Sequence, residues 1–518
     1  MTKMNGADRL CDALLANGVD VCFANPGTSE MHFVAALDAR PQMRCVLGLF
    51  EGVVTGAADG YARMADRPAA TLLHLGPGLG NGLANLHNAR RAHTPMINVV
   101  GNHATHHRDL EAPLSSDVET LAGPMSAWVK SCDRAEDMAA DLNAAYVAAL
   151  AAPGVATLIL PADTAWSEAP TDPVVPATPP APAPFDGAAL DRAVAAVRAG
   201  KRVALLLDGP ALRAGPLDRA GRIRAQTGLR LLAPTSVARI ERGAGRVAVE
   251  RVPYRIEMAR EALDDVDVLV LVGAIAPVAF FAYPGQPSLP TRPDCDIIDL
   301  AAPGRDATGA LDALCTALGA DAAQAETAAP ALPDRPADGP LTGGAVTALV
   351  ARHLPEQAIV VDESITTGWQ FMDQARGAPA HDMLDLTGGA IGIGLPLAAG
   401  AAIACPDRKV ICLQADGSGM YTVQALWTQA REALDVLTII FANNSYATLH
   451  GEMTRVGVSD PGRNAQRMLN LDEPAIDWVA MARAQGVDAC RAETVAAFET
   501  ALQDALSRPG PQLIEARI

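Results

Sequence analysis

Residues 413–446, LQADGSGMYTVQALWTQAREALDVLTIIFANNSY, carry the side chains with the most chemical content. An apolar run at 410–413 stops at Asp416-Gly417-Ser418, and a second at 436–441 stops at Asn443-Asn444-Ser445. Between them Val423, Leu426, Trp427, Ala430 and Leu434 recur at the spacing of one helix face. Strand, acidic loop, helix, strand and polar loop describe one right-handed parallel crossover, whose two loops open at the same carboxyl edge of a sheet. An acid and an amide 27 positions apart would meet there. Asp416, the Asn443 side chain and a backbone carbonyl near Ser445 make an all-oxygen set suited to Mg²⁺. Amides of Gly417 and Ser418, beside a glycine-opened helix start, suit the phosphate oxygens that would complete its shell. Either motif alone is an ordinary turn; their separation by one crossover gives the pair its meaning.

The elements needed to position that pair recur along the chain. Its 518 residues exceed one hydrophobic core and fit about three domains. Two proline-rich tracts, 169–185 (APTDPVVPATPPAPAPF) and 328–344 (AAPALPDRPADGPLTGG), can sustain neither a helix nor a central strand and read as linkers. They bound domains at 1–168, 186–327 and 345–518. Short apolar runs alternate with helical patterns in each: 21–23, 70–75, 96–100 and 157–160, then 202–207, 229–232, 266–272 and 296–300, then 359–361, 410–413, 437–441 and 513–516. The expected class is α/β, with three open parallel-sheet domains.

Composition narrows the function classes. A formal charge of −18 argues against nucleic acid or an anionic membrane as partner and for a cytoplasmic protein. The first 19 residues pattern as a helix without signal-peptide character, and no long uncharged apolar run reads as a membrane span. Nine scattered cysteines without a C-x-x-C pair read as reduced thiols.

The D-G-S and N-N-S-Y pair resembles the cofactor signature of thiamine-diphosphate-dependent enzymes, with Ala415 standing where that family usually has glycine. The resemblance spans essentially the whole chain, in the domain order of acetohydroxyacid (acetolactate) synthase, pyruvate oxidase and benzoylformate decarboxylase: pyrimidine-binding, central, diphosphate-binding. It implies thiamine diphosphate and Mg²⁺ as cofactors. Glu51, opening the segment EGVVTGAADGYAR at 51–63, falls where the family's cofactor-activating glutamate lies. Read alone, it is a helix N-terminal acid. Asn25-Pro26-Gly27-Thr28 resembles the loop that lies against the pyrimidine and substrate. His74 matches an active-site histidine of benzoylformate decarboxylase, and Asn81 a loop residue near the cofactor. In TGGAIGIGLP, 387–396, Gly389 aligns with a carbonyl acceptor and Ile391 with the apolar wedge under the cofactor. Thr366, in DESITT, and Tyr421 and Tyr446 match residues on the phosphate side. His103, His106 and His107 lack an acid or cysteine at metal spacing and read as a solvated loop.

The middle domain is less explicit. Oxidase and synthase relatives bind FAD there, but flavin-loop residues are not evident, and Gly243–Ala248 fits G-x-G-x-x-A only formally because the preceding ARIER does not read as a buried strand. Gap-free alignment of 273–285 puts Phe280 where benzoylformate decarboxylase has a second active-site histidine. The expected activity is therefore an acetolactate-synthase-like carboligase that decarboxylates a 2-oxo acid and joins the product to an aldehyde or second 2-oxo acid. The alternatives are a benzoylformate-type decarboxylase releasing an aldehyde and a non-catalytic subunit of the same fold. The family's placement of the cofactor between subunits implies a homodimer at least and a tetramer as the expected assembly.

Overall fold

The computed structural model describes residues 4–518. Three sheets form, their central strands short and largely apolar with helices on both faces, as parallel pairing requires. The first has strand order Arg44–Leu47, Val21–Asn25, Ala69–Leu73, Met96–Asn102, Val155–Pro161, Trp128–Ser131, all parallel. The second has Glu250–Arg251, Arg230–Ala233, Val203–Leu207, Val268–Val272, Asp296–Ala301, also parallel. The third runs Asp488–Ala492, Gln512–Arg517, Val436–Ala442, Val410–Ala415, Ile359–Glu363, His381–Asp385, Ile240–Arg242. The α/β class with three parallel-dominated sheets is as the alternating pattern predicts.

The last of these strands corrects one expectation. ARIER does contain a strand, Ile240–Arg242, but it pairs antiparallel with His381–Asp385 in the third sheet. Sequence from the middle of the chain thus closes the edge of the C-terminal sheet. It leads into Gly243 and Gly245 at φ +103° and +75°, then to the short strand Glu250–Arg251 and not to a helix, so the formal G-x-G-x-x-A is no dinucleotide motif. The helix expected after Asp416 also differs. It is broken into Asp416–Gly419, a tight turn at Met420–Thr422 and Ala425–Arg431, with Leu434 beyond its end.

Each sheet has a point where the chain reverses its direction of winding, and the loops leaving the two strands there diverge into a crevice. In the first sheet it lies between Val21–Asn25 and Ala69–Leu73, in the second between Val203–Leu207 and Val268–Val272, in the third between Ile359–Glu363 and Val410–Ala415. The residues just past those strand ends are Pro26 and His74, Asp208 and Gly273, and Asp416 beside Glu363.

The first and third sheets are locked together by two helices buried almost all round, Glu51–Ala65 and Gly394–Ala404. They cross at glycine. A Cβ on Gly60 would lie 2.1 Å from the Leu397 carbonyl oxygen, and one on Gly400 would lie 1.8 Å from that of Ala57. Backbone meets backbone there, so no flexible side chain can yield. Beside the crossing, the buried pair Arg63–Asp59 extends to the carbonyls of Ala238 and Asp385, and Arg239 reaches Asp382, joining the helix Glu51–Ala65 to the third sheet and the segment leading into its edge strand by charge-assisted hydrogen bonds. Gly400→Ala is accordingly expected to force the helices apart and cost about 1–3 kcal/mol or more, read as a lowered midpoint in scanning calorimetry.

Candidate active site

At the edge of the third sheet, Asp416 ends a strand and begins a helical turn, which brings its carboxylate under the following amides. It is 2% exposed. Oδ1 accepts the Gly417 amide at 2.8 Å and Oδ2 accepts the Asn444 amide at 2.6 Å. Burial pushes its pKa above the ordinary carboxylate value, and these amides oppose the rise. Asn443, one crossover later, accepts the Ser445 amide on Oδ1 at 2.9 Å and donates to the Thr367 hydroxyl at 3.1 Å. The Ser445 N–H, which can only donate, fixes which end of the amide is oxygen. Asn444 holds φ +52°, the bend that turns the loop back onto Asp416. The Tyr446 ring packs so tightly over Gly417 that a Cβ there would lie 2.6 Å from Cε1.

Two details refine the sequence expectation. The Gly417 amide is turned back on Asp416, so it orients the acid and does not face outward. The Ser418 hydroxyl is likewise spent inward, donating to the Ala415 carbonyl at 3.2 Å and accepting from Gln414 at 2.6 Å. Asp416, Asn443 and the loop at Ser445 still lie together at this edge, tied by the Asn444 and Ser445 amides. Among the described residues no group of three or more His, Cys, Asp or Glu gathers as a metal site. An ion here would therefore draw on amide, carbonyl and phosphate oxygens, the preference of Mg²⁺. Thr366 is exposed, its hydroxyl against that of Thr448, and Tyr421 packs beside Gly392.

Gly389 has φ +76° and Gly392 φ +99°, so the loop between them depends on glycine. Phe280 from the middle of the chain lies directly on it. A Cβ on Gly389 would sit 2.6 Å from Phe280 Cζ. Phe281 and Tyr254 flank Phe280 at ring-centroid distances of 4.9 and 5.2 Å. Both phenylalanines are more than half exposed, at 53% and 56%, which makes them an apolar wall open to a ligand and not core. Phe280 also borders a cavity of about 730 Å³ at the second sheet's crevice, lined by Asp208, Arg213, Thr235 and Tyr254 among others. There burial pushes the Asp208 carboxyl up to about 7.

At the edge of the first sheet, Glu51 begins the buried helix Glu51–Ala65, 7% exposed, and its Oε2 accepts from Asn81 at 2.9 Å. The neighbouring helix Leu75–Arg91 sets its height through Asn85, which donates to the Gly52 carbonyl at 2.7 Å, and Thr55, which donates to that of Gly82 at 3.1 Å. His74 stands just before that helix, where the chain passes from strand to helix through Leu75 at φ +49°, a strained conformation for a buried leucine. His74 Nδ1 meets Glu30 Oε2 at 2.7 Å. Glu30, 1% exposed, also accepts the Gly27 amide at 2.8 Å and the Ser29 hydroxyl at 2.5 Å. Gly27 is so close to the His74 ring that a Cβ would lie 2.3 Å from Nδ1. Asn25 and Pro26 line the same edge, and Thr28 is exposed.

The sequence-derived residues thus fall into two groups. Asn25, Pro26, Thr28, Glu51, His74 and Asn81 share the first sheet's edge; Thr366, Gly389, Ile391, Asp416, Gly417, Ser418, Tyr421, Asn443, Ser445 and Tyr446 share the third's. Among the described residues no hydrogen bond or ion pair joins Glu51 to Asp416 or Asn443. Sequence reading overlooked Glu30 and Glu363, buried acids at the two edges. An acid closing an apolar strand, as in VVDE at 360–363, was the available signal for the second. The histidine loop also differs from expectation: His106 is exposed, but His103 Nε2 is buried without a partner and its ring stacks near His107 at 5.4 Å.

Residues 4–122 match the family model "Thiamine pyrophosphate enzyme, N-terminal TPP binding domain", and 365–516 match its C-terminal TPP binding domain counterpart. Over 516 residues the chain is 52% identical to a putative acetolactate synthase large subunit of Mycobacterium tuberculosis, covering 99% of this chain and 98% of the other. It is 32% identical to benzoylformate decarboxylase of Pseudomonas aeruginosa, covering 97% of each. Among solved structures, a thiamine diphosphate-dependent 4-hydroxybenzoylformate decarboxylase of Rhodococcus jostii RHA1 superposes with a TM-score of 0.84 at 25% identity over 99% of both chains. Glu30→Ala would orphan the Gly27 amide, the Ser29 hydroxyl and the His74 imidazole together, and is expected to cost about 1–3 kcal/mol, measured as a fall in the calorimetric midpoint.

Proposed function

Since the chain belongs to the thiamine pyrophosphate-dependent enzymes, we propose that it is a Mg²⁺-dependent 2-oxo acid decarboxylating carboligase, acetolactate-synthase-like in its chemistry. When bound, thiamine diphosphate supplies a nucleophilic carbon and an electron sink for the electrons left by loss of CO₂. Asp416, Asn443 and the Ser445 carbonyl would hold the metal ion and through it the diphosphate. Glu51, kept out of water at a helix start and oriented by Asn81, is the carboxylate suited to hold a proton at the pyrimidine. His74, with Nδ1 committed to Glu30, presents Nε2 as the ring nitrogen free to bind or pass a proton.

The observation that carries carboligation over simple decarboxylation is Phe280 against Gly389. Releasing an aldehyde requires a proton at the carbon that has lost CO₂. An apolar wall that offers none favours capture of that carbon by a second carbonyl compound. The second reading, an aldehyde-releasing decarboxylase, is favoured by His74 at the facing edge and by the likeness to benzoylformate decarboxylase. Because Glu51 and the metal group sit on separate sheet edges without mutual contacts, a complete site calls for two copies of the chain. A homodimer is the minimum, a tetramer the further expectation. No helix among the described residues is long and apolar enough to cross a membrane.

Product analysis by mass spectrometry, on a mixed panel of 2-oxo acids and aldehydes with Mg²⁺ and thiamine diphosphate, is expected to give 2-hydroxy ketones or acetolactate-type acids. Aldehyde alone would establish the decarboxylase; no turnover of any substrate would favour a non-catalytic subunit. Glu51→Ala should abolish turnover and leave cofactor binding largely intact in a fluorescence titration. Phe280→His, which returns a proton donor to the wall, is expected to move the product ratio several-fold toward free aldehyde. An unchanged ratio would remove Phe280 from the explanation.

A further inference from the structure

Glu363 closes the strand Ile359–Glu363 directly beneath the loop that carries Gly389 and Ile391. It is 1% exposed, and burial pushes its carboxyl up to about 7. Its Oε1 accepts the Gly392 amide and its Oε2 the Gly394 amide, both at 2.5 Å. Two parallel N–H groups need two acceptor oxygens fixed together, and among side chains only a carboxylate offers them in that form. From the far side the Thr422 hydroxyl donates to the Gly392 carbonyl at 2.6 Å. Helix Leu75–Arg91 holds the loop's other end: His87 Nε2 meets the Gly388 carbonyl at 3.0 Å, and Asn88 takes the Ala390 carbonyl at 2.7 Å and its amide at 3.3 Å.

The pattern is selective. Gly388, Ala390 and Gly392 are each tied through the backbone, whereas the peptide groups of Gly389 and Ile391 make no hydrogen bond among the described residues. Alternate residues are anchored so that those between them face outward with polar groups free. We propose that Glu363 is a positioning residue that sets the height of Gly389 and Ile391 against the aminopyrimidine half of the cofactor and takes no part in holding its diphosphate. This rests on the reading of 387–396 as the pyrimidine-side loop.

The competing account is that Glu363 merely caps the helix Gly394–Ala404, in which case its loss would weaken every ligand alike or none. The test is Glu363→Gln, which is nearly isosteric but turns an NH₂ group toward one of the two amides, donor against donor. In the purified full-length protein with Mg²⁺, dissociation constants are measured by titration calorimetry for two probes, thiamine diphosphate and inorganic diphosphate. The expected result is that the variant weakens thiamine diphosphate roughly tenfold, as loss of about one charge-assisted hydrogen bond implies, and leaves inorganic diphosphate nearly unchanged. Equal weakening of both probes, or of neither, overturns the proposal. If wild-type protein itself bound the two probes equally, the pyrimidine-side reading of the loop would fail first, and the two failures are thereby distinguished. Glu363→Asp, which keeps charge and both oxygens but withdraws them from the amides, should shift the ratio the same way and supplies the test if Glu363→Gln does not fold.

Discussion

A carboxylate removed from water must be compensated where it stands, and this protein places four such groups at two sheet edges: Glu30, Glu51, Glu363 and Asp416, all below 8% exposed. None of the four is compensated by an arginine or lysine. Backbone amides serve Asp416 and Glu363, an asparagine serves Glu51, and an amide, a hydroxyl and an imidazole serve Glu30. Neutral partners satisfy the oxygens without cancelling the charge. The arrangement also dictates local backbone: Asn444 and Leu75 in left-handed conformations, and Gly27, Gly389, Gly392 and Gly417 where a side chain would collide.

In the third sheet the two acids stand where the winding reverses. Each takes amides from the loop that follows its other neighbouring strand, Asp416 from Asn444 and Glu363 from Gly392 and Gly394. Asp416 and Glu363 end adjacent parallel strands, paired through Glu363 and Gln414. One faces the polar loop at 443–446 and the other the glycine loop at 388–394. A single crevice thereby has a cation side and a wedge side, separated by one strand.

The residues most legible in sequence were those whose chemistry is local. Asp416 and Asn443 announced themselves because one crossover separates them, whereas Glu51, alone only a helix N-terminal acid, stood out through the family resemblance of the segment it opens. Glu30 escaped notice because its role exists only through His74, 44 residues away on the neighbouring strand. Asn88 escaped because it looks like any helix-surface amide until the 388–390 backbone is laid against it. The strand Ile240–Arg242 was misread for a related reason. Three residues carry too little periodicity to declare a strand, and it gains its partner far along the chain, where Ile240 pairs with Met383.

That strand alters the part played by the middle of the chain. Periodicity presents residues 186–327 as a separate unit between linkers, yet they lend an edge strand to the third sheet, Arg251 pairs with Asp385, and Tyr283 meets Arg455 through its hydroxyl. Of these ties, the Tyr283–Arg455 contact belongs to the loop that carries Phe280, which lies against Gly389. The buried acids thus stand at the edges of the first and third sheets, while the aromatic face over Gly389 comes from the middle of the chain, so the two are set by separate parts of the fold.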